Sequence, residues 1–218
     1  MNKILPLLLF FQSFCLSATA QVEHWQRISL DDSTSIEFPG EPKKKLSNGQ
    51  QATFFQNDKA IYSIIVGKDA YGGNPIDSEL ERFYTGTLKG MMDAFGGGEI
   101  IDEKPFVIDS FSGKEIRFTT PSKPQLPPIK TVRFLLANGT FYTTNFWTNT
   151  NQDPEVDSAR NHFFSSFQTR MKKTAAVDPE TQTGAYRLGS MLGSLFFYGA
   201  LIAVFVAVVR RFSKSKAA

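Results

Sequence analysis

Leu188–Val209, LGSMLGSLFFYGALIAVFVAVV, runs for 22 residues without a charge and is closed by Arg187 on one side and Arg210-Arg211 on the other. No other stretch limits this chain as tightly. In hydrocarbon every backbone polar group must be satisfied within the segment, which leaves a helix as the only form open to a single span. At about 1.5 Å per residue the helix reaches roughly 33 Å, enough for a hydrocarbon core of about 30 Å. The tail RRFSKSKAA has four positive charges and no negative one, so it is expected on the cytoplasmic side. Gly189 and Gly193 form a GxxxG step with Ser190 and Ser194 beside them. Such small residues let two helices approach closely, giving a transmembrane packing face and a route to a homodimer.

The amino-terminal end is of a different kind. Met1-Asn2-Lys3 precedes the short apolar run Ile4–Phe11, and Ala18-Thr19-Ala20 offers a small-x-small cleavage site. Residues 1–20 are expected to be a secretory signal removed before Gln21. Cys15, the one cysteine, would leave with it, taking disulfides and thiolate chemistry along. The expected organisation is signal 1–20, an external domain 21–170, a polar juxtamembrane tether 171–187, a membrane helix 188–209 and a cytoplasmic tail 210–218. The domain would then stand on the periplasmic or extracellular side of the cell membrane, near membrane-proximal protein partners. Asp178-Pro179-Glu180 raises one alternative, a sorting motif whose cleavage would release the domain.

Charge separates in the same way. All 21 acidic residues but only 19 of the 24 basic ones fall between Gln21 and Arg187, leaving that region at −2 although the whole chain is +3. No broad basic face is available, and a nucleic-acid partner is not expected.

Within 21–170, strand and helix patterns alternate. Strands are expected at 24–30, 35–38, 60–68, 100–108 and 114–120, with two hairpins turning at Asn48-Gly49 and Asn138-Gly139, pairs suited to type I′ turns. SIEFPGEPKKK reads as a strand leaving through a Pro-Gly turn, with Lys43, Lys44 and Lys45 discouraging edge pairing on the next strand. Between Asp77 and Phe95, Leu80, Phe83, Tyr84, Thr87, Leu88, Met91, Met92 and Phe95 recur at helical spacing; Ser78 and Glu81 have the spacing of a capping box, and Gly96-Gly97-Gly98 ends the helix. Asp153-Pro154 opens a second helix carrying Val156, Ala159, Phe163, Phe164 and Phe167 inward. About eight hairpin-linked strands with two amphipathic helices make an α+β fold with an antiparallel sheet.

Trp25, SIEFPGEP, the helix with FYTGTLKGMM, the turn FSGKE, the hairpin RFLLANGTFYTTNFW and the closing FFSSF occur in that order. This order resembles the PsbP-like and DcrB-like superfamily across residues 24–167. The resemblance implies an antiparallel sheet flanked by helices. That superfamily includes an extrinsic photosystem subunit, a Ran-binding transport factor and secreted bacterial proteins of unknown role, and it supplies no shared catalytic residues to carry over.

A search for chemistry returns little. His24 and His162 lie near opposite ends of the domain without metal-ligand spacing, although first strand and last helix often meet. DSFSG at 109–113 lies between strands where a nucleophile elbow would open a helix. The three glycines follow a helix where a phosphate loop would precede one. Asn138-Gly139-Thr140 matches a glycosylation sequon but is explained as a turn. No catalytic residue, cofactor or metal is expected. The aromatic content (21 Phe, six Tyr, two Trp) must mostly fill core. Alternation along the last hairpin strand puts Phe141 and Trp147 on one face and Tyr142 and Phe146 on the other. Tyr142, Phe146 and Trp147 are the candidates for a ligand-facing aromatic set. The leading expectation is a membrane-anchored external binding or assembly module without catalytic activity. A small-molecule or lipid-binding protein with an aromatic pocket is the alternative, and an enzyme using His24 and His162 a third.

Overall fold

Ala60–Gly67 is buried at every position, which requires a strand paired on both edges and covered on both faces. The computed structural model, which describes residues 24–47, 50–121, 126–149 and 154–176, supplies both. In chain order the strands are β1 (Gln26–Ser29), β2 (Thr34–Phe38), β3 (Lys43–Ser47), β4 (Gln50–Gln56), β5 (Ala60–Gly67), β6 (Glu99–Ile108), β7 (Phe111–Thr119), β8 (Ile129–Ala137), β9 (Thr140–Thr148) and β10 (Gln168–Thr169). Helix α1 (Asp77–Phe95) follows β5, and α2 (Pro154–Ser165) follows β9. Seven strands form one sheet in the order β3-β4-β5-β9-β8-β7-β6, and β1-β2-β10 form a second. Every ladder is antiparallel. The molecule is α+β, as its sequence pattern predicts.

The period-two pattern divides the core. One face of the large sheet presents Ile61, Ile65, Ile116, Val132, Phe134, Phe141 and Trp147 to α1, which answers with Phe83, Tyr84, Leu88, Met91 and Phe95. The other presents Tyr62, Ile64, Val66, Leu135, Tyr142 and Phe146 to Ile36 and Phe38 of β2 and Val156, Phe163 and Phe164 of α2. Two helices flanking a single sheet is therefore too simple a description. β2 buries only Thr34, Ile36 and Phe38, the alternation of a strand with one covered face, and pairs in a small sheet of its own that shares the second layer with α2.

Helix α1 ends as its glycines predict. Gly96 takes φ +87°, its amide donating to Asp93 O, while the Gly97 amide donates to Met92 O, the pair of bonds that defines a Schellman stop. Its start differs from expectation. Ile76 is the N-cap and no side chain caps it, so Ser78 lies inside the first turn and the box with Glu81 does not form. Glu81 pairs with Lys114 on β7 instead.

The edges of the large sheet are β3 and β6. Lys43, Lys44 and Lys45 lie on the first, which settles SIEFPGEPKKK as a strand, a turn and a guarded edge. Edge β6 carries Pro105, three charges from Asp102 to Lys104 and a bulge between Ile100 and Asp102. The β6–β7 turn is Asp109-Ser110, with Asp109 at φ +54°, so β7 starts at Phe111, earlier than expected. The Asn48-Gly49 turn and Asp153 lie outside the described residues; the flanks Ser47 and Gln50 are paired.

At the β8–β9 turn Asn138 and Gly139 have φ of +49° and +82°. A left-handed pair closes this two-residue loop as a type I′ turn, whose twist matches that of the flanking strands. The side chain of Asn138 does more than turn the chain. Its Oδ1 accepts from Asn74 Nδ2 at 2.7 Å, from the Thr174 amide at 3.0 Å and from Thr174 Oγ1 at 3.1 Å, while its Nδ2 donates to Lys172 O at 2.9 Å. Asn74 Oδ1 accepts the Asn138 amide, and Asn74 Nδ2 also reaches Thr174 O. This clasp holds the segment after β10 against the domain as far as Ala176, which bridges to Asn74. The first residues expected as tether are thus fastened to the fold.

Candidate functional site

A cleft of about 880 Å³ opens where four separate segments converge. His24 and Trp25 lead into β1. Pro39 and Gly40 follow β2. Asn57, Asp58 and Lys59 form the β4–β5 turn. Glu155, Ser158, Ala159 and His162 stand along one flank of α2, at helical spacing. The turn is fixed locally, because Asn57 Oδ1 accepts the amides of Lys59 at 3.0 Å and Ala60 at 2.8 Å. Lys59 then pairs with Glu155, closing the turn onto the first turn of α2.

The floor is aromatic. Trp25 meets Tyr62 edge-on with centroids 6.1 Å apart, and Phe55 lies 6.0 Å from Tyr62. Tyr62 is buried, whereas Trp25 and Phe55 are only half-buried and face the opening. Trp25 also covers the imidazole of His162, centroids 4.1 Å apart.

One charged group anchors this wall. Glu37 on β2 receives Arg27 Nη2 at 2.7 Å and meets His162 Nε2 at 2.7 Å. The register that sets Arg27 opposite Glu37 makes the first contact unavoidable. The bond from His162, with Arg27 beside it, holds the Glu37 carboxyl below the usual range despite some burial. Arg27 Nη1 adds bonds to Ser35 Oγ, Ser166 O and Gln168 Oε1, tying β1 and β2 to the end of α2. From the other side Arg133 clamps α2 through Phe164 O at 3.1 Å, its guanidinium lying over the rings of Phe106 and Phe164. Glu115 accepts Arg133 Nε at 2.6 Å and Lys104 at 3.0 Å. Burial alone would raise this carboxyl, but the two cations outweigh it and hold it low.

His24 and His162, far apart in sequence, do line one cleft. Among the described residues no group of three His, Cys, Asp or Glu is placed to hold a metal ion. The aromatic candidates are elsewhere. Tyr142, Phe146 and Trp147 are 1%, 0% and 3% exposed and fill the two core layers, on the faces their alternation predicts, and none lines the cleft. Tyr142 spends its hydroxyl on Asp31 Oδ2 at 2.8 Å, which pins the β1–β2 turn to the sheet. Gly189, Ser190, Gly193 and Ser194, like the expected signal and membrane segments, lie outside the described residues. No helix among the described residues is long and apolar enough to cross a membrane. Phe55, Lys59, Tyr62 and Glu155 had no sequence signal of their own. The pairing of Arg27 with Glu37 could have been found from alternation alone.

Fold and site together define an antiparallel α+β domain with one aromatic-floored cleft. No family model and no curated protein matches the chain. Among solved structures it is similar to the cyanobacterial PsbP protein CyanoP of Synechocystis sp. PCC 6803, at 14% identity and a TM-score of 0.46, over 69% of this chain and 95% of that one. It is also similar to PA94, a protein of unknown function from Pseudomonas aeruginosa, at 13% identity and a TM-score of 0.42, over 68% of this chain and 99% of that one. These are likenesses of chain trace, and the α+β description rests on the strands and helices given above.

Proposed function

We propose that this protein is a membrane-anchored binding module without catalytic activity, held outside the membrane by residues 188–209 and engaging a partner through the cleft between β1, the β4–β5 turn and α2. The observation that carries the reading is the cleft itself. It has the volume of a recognition site, about 880 Å³, and pairs half-buried Trp25 and Phe55 with a polar rim, the composition favoured where one surface meets another. The His162 ring is covered by Trp25 and bonded to Glu37, which suits a structural wall.

The test uses the full chain in intact cells, with a photo-crosslinking residue in place of Ser158, beside a version keeping only the anchor. A partner captured through position 158 and absent with the anchor alone is the expected result. The same partners recovered by the anchor alone would move recognition into the membrane helix, and no specific capture would sink the proposal. A small molecule retained in native mass spectrometry would redirect it to a ligand carrier.

A further inference from the structure

We propose that the end of the domain from which the chain leaves toward residues 188–209 docks on an anionic phospholipid surface through Arg170, Lys172 and Lys173. This rests on the membrane-anchored reading above and adds a contact separate from the cleft. A hollow of about 700 Å³ lies between the β6–β7 turn, Asp109-Ser110, and the run from Thr169 to Lys173 that carries β10 into the clasp. That run is fixed by its backbone. β10 pairs with β2, the Arg170 amide donates to Ser33 O at 2.9 Å, and Lys172 O accepts from Asn138 Nδ2. The cationic side chains are not fixed. Arg170, Lys172 and Lys173 are all exposed, and among the described residues none of the three forms an ion pair or a side-chain hydrogen bond.

Charge selects the kind of surface. The lining sets three cations against one carboxylate, that of Asp109. Elsewhere at this end Asp32, Asp69 and Lys68 mix the signs, while Asp31 is already bonded to Tyr142 and Ser33. Lipid phosphates take charge-assisted hydrogen bonds from arginine and lysine. Basic side chains held within a screening length of about 10 Å of an anionic bilayer each add to the attraction. Chain length puts the bilayer within reach. Residues 177–187 separate Ala176 from the apolar segment, a span of at most roughly 40 Å. From Arg170 to Arg187 the sequence carries four cations against Asp178 and Glu180, so the approach to the membrane stays basic. The cleft lies at the opposite end of β9, and docking here leaves it facing away from the lipid.

The experiment takes the full-length protein in lipid nanodiscs, one set of phosphatidylcholine alone and one containing phosphatidylglycerol. An uncharged amine-reactive reagent labels exposed lysines, and mass spectrometry reads the rate at each. Lys172 and Lys173 are expected to label about tenfold more slowly in the anionic discs. Lys43 and Lys44, exposed on β3 away from this end, should label alike in both. Arg170→Gln removes one charge and keeps both reporters, and should speed their labelling about fivefold. Asp109→Asn removes the opposing carboxylate at a left-handed position that asparagine tolerates, and should slow it by a similar factor. Raising salt from about 0.1 to about 1 M cuts the screening length to about 3 Å and should abolish the protection. Circular dichroism confirms that each variant is folded. Equal rates in the two discs, equal slowing of Lys43 and Lys44, or two variants without effect would each overturn the proposal. So would protection by inorganic phosphate in neutral discs, which would mark a site for a free anion. Flotation with the neutral discs reports the anchor by itself. Protein that floats but labels alike in both discs would retain the anchored reading and reject docking; protein that does not float would remove both.

Discussion

Tyr84 offers the sharpest test of how α1 is joined to the sheet. Its ring is 2% exposed and packs near Phe83, Phe134 and Phe141. Its hydroxyl accepts the Leu136 amide at 2.9 Å and donates to Ser112 O at 2.9 Å, a bridge from helix to β8 and β7. Burial, with the charge of Glu81 adding to it, pushes the hydroxyl's ionisation far above its ordinary value, so it stays protonated and able to donate at any working pH. Tyr84→Phe removes one oxygen and keeps the ring. The Leu136 amide, in a buried site, loses its partner, at a cost of about 1–3 kcal/mol. The Ser112 carbonyl is only part-buried and can turn to water, adding less than that. A loss of about 2–3 kcal/mol follows, a large share of the ~5–15 kcal/mol that holds a domain folded. Urea unfolding followed by tryptophan fluorescence measures it, with amide hydrogen exchange at Leu136 as the local readout. A change below about 0.5 kcal/mol with Leu136 still protected would refute the bridge, because both backbone groups would then have found other partners.

Gly139→Ala should cost at least about 1 kcal/mol, since φ is +82° and the new Cβ would lie 2.5 Å from Tyr71 O; a melting temperature unchanged within error would contradict this. Asn138→Ala removes the hub of the clasp, and limited proteolysis should then cut within 170–176 well before the wild type is cut there, with a stability loss of about 1–2 kcal/mol. Acid should weaken the fold through Glu37 and Glu115. Both are held below the ordinary glutamate value of 4.5, so the unfolded chain takes up protons first, and the stability they contribute is present above about pH 4.5 and lost as pH falls through their folded values. Replacing both by glutamine should flatten the acid limb of stability against pH, and an unaltered limb would show that other carboxylates govern it.

Regular elements were readable where the pattern was long. Helix α1 shows its stripe over 19 residues, and the Asn138-Gly139 hairpin shows alternation on both arms with a turn pair that has few other uses. β10 was not readable, being two polar residues whose strand character comes entirely from backbone bonds to Ser35 and Thr34. The missing capping box has a similar cause, since the spacing of Ser78 and Glu81 fits but the helix starts two residues too early to use it. Alternation puts the aromatic set of β9 on the two faces it occupies, and both faces are covered core. Alternation tells which side a ring is on, but whether that side is open depends on what α1, α2 and β2 place over it. The cleft was the least legible part. Its walls come from four segments, the first and last about 130 residues apart, and of its lining only the two histidines stand out in the sequence as candidate reactive groups.

The clasp has a mechanical consequence. A pull applied beyond Ala176 reaches the domain through Thr174 and Lys172, by exposed bonds to Asn138 and part-buried bonds between Thr174 and Asn74, before it reaches β10 and then the core. Load from that end therefore peels a short strap bond by bond while the large sheet stays intact. The cleft lies at the other end of β9, roughly 27 Å away along nine residues of strand. Force-extension curves taken from the carboxyl end should show a small early release ahead of the main rupture. The fastening acts as a slack reserve, lengthening the reach of the domain under tension without disturbing the surface at its far end.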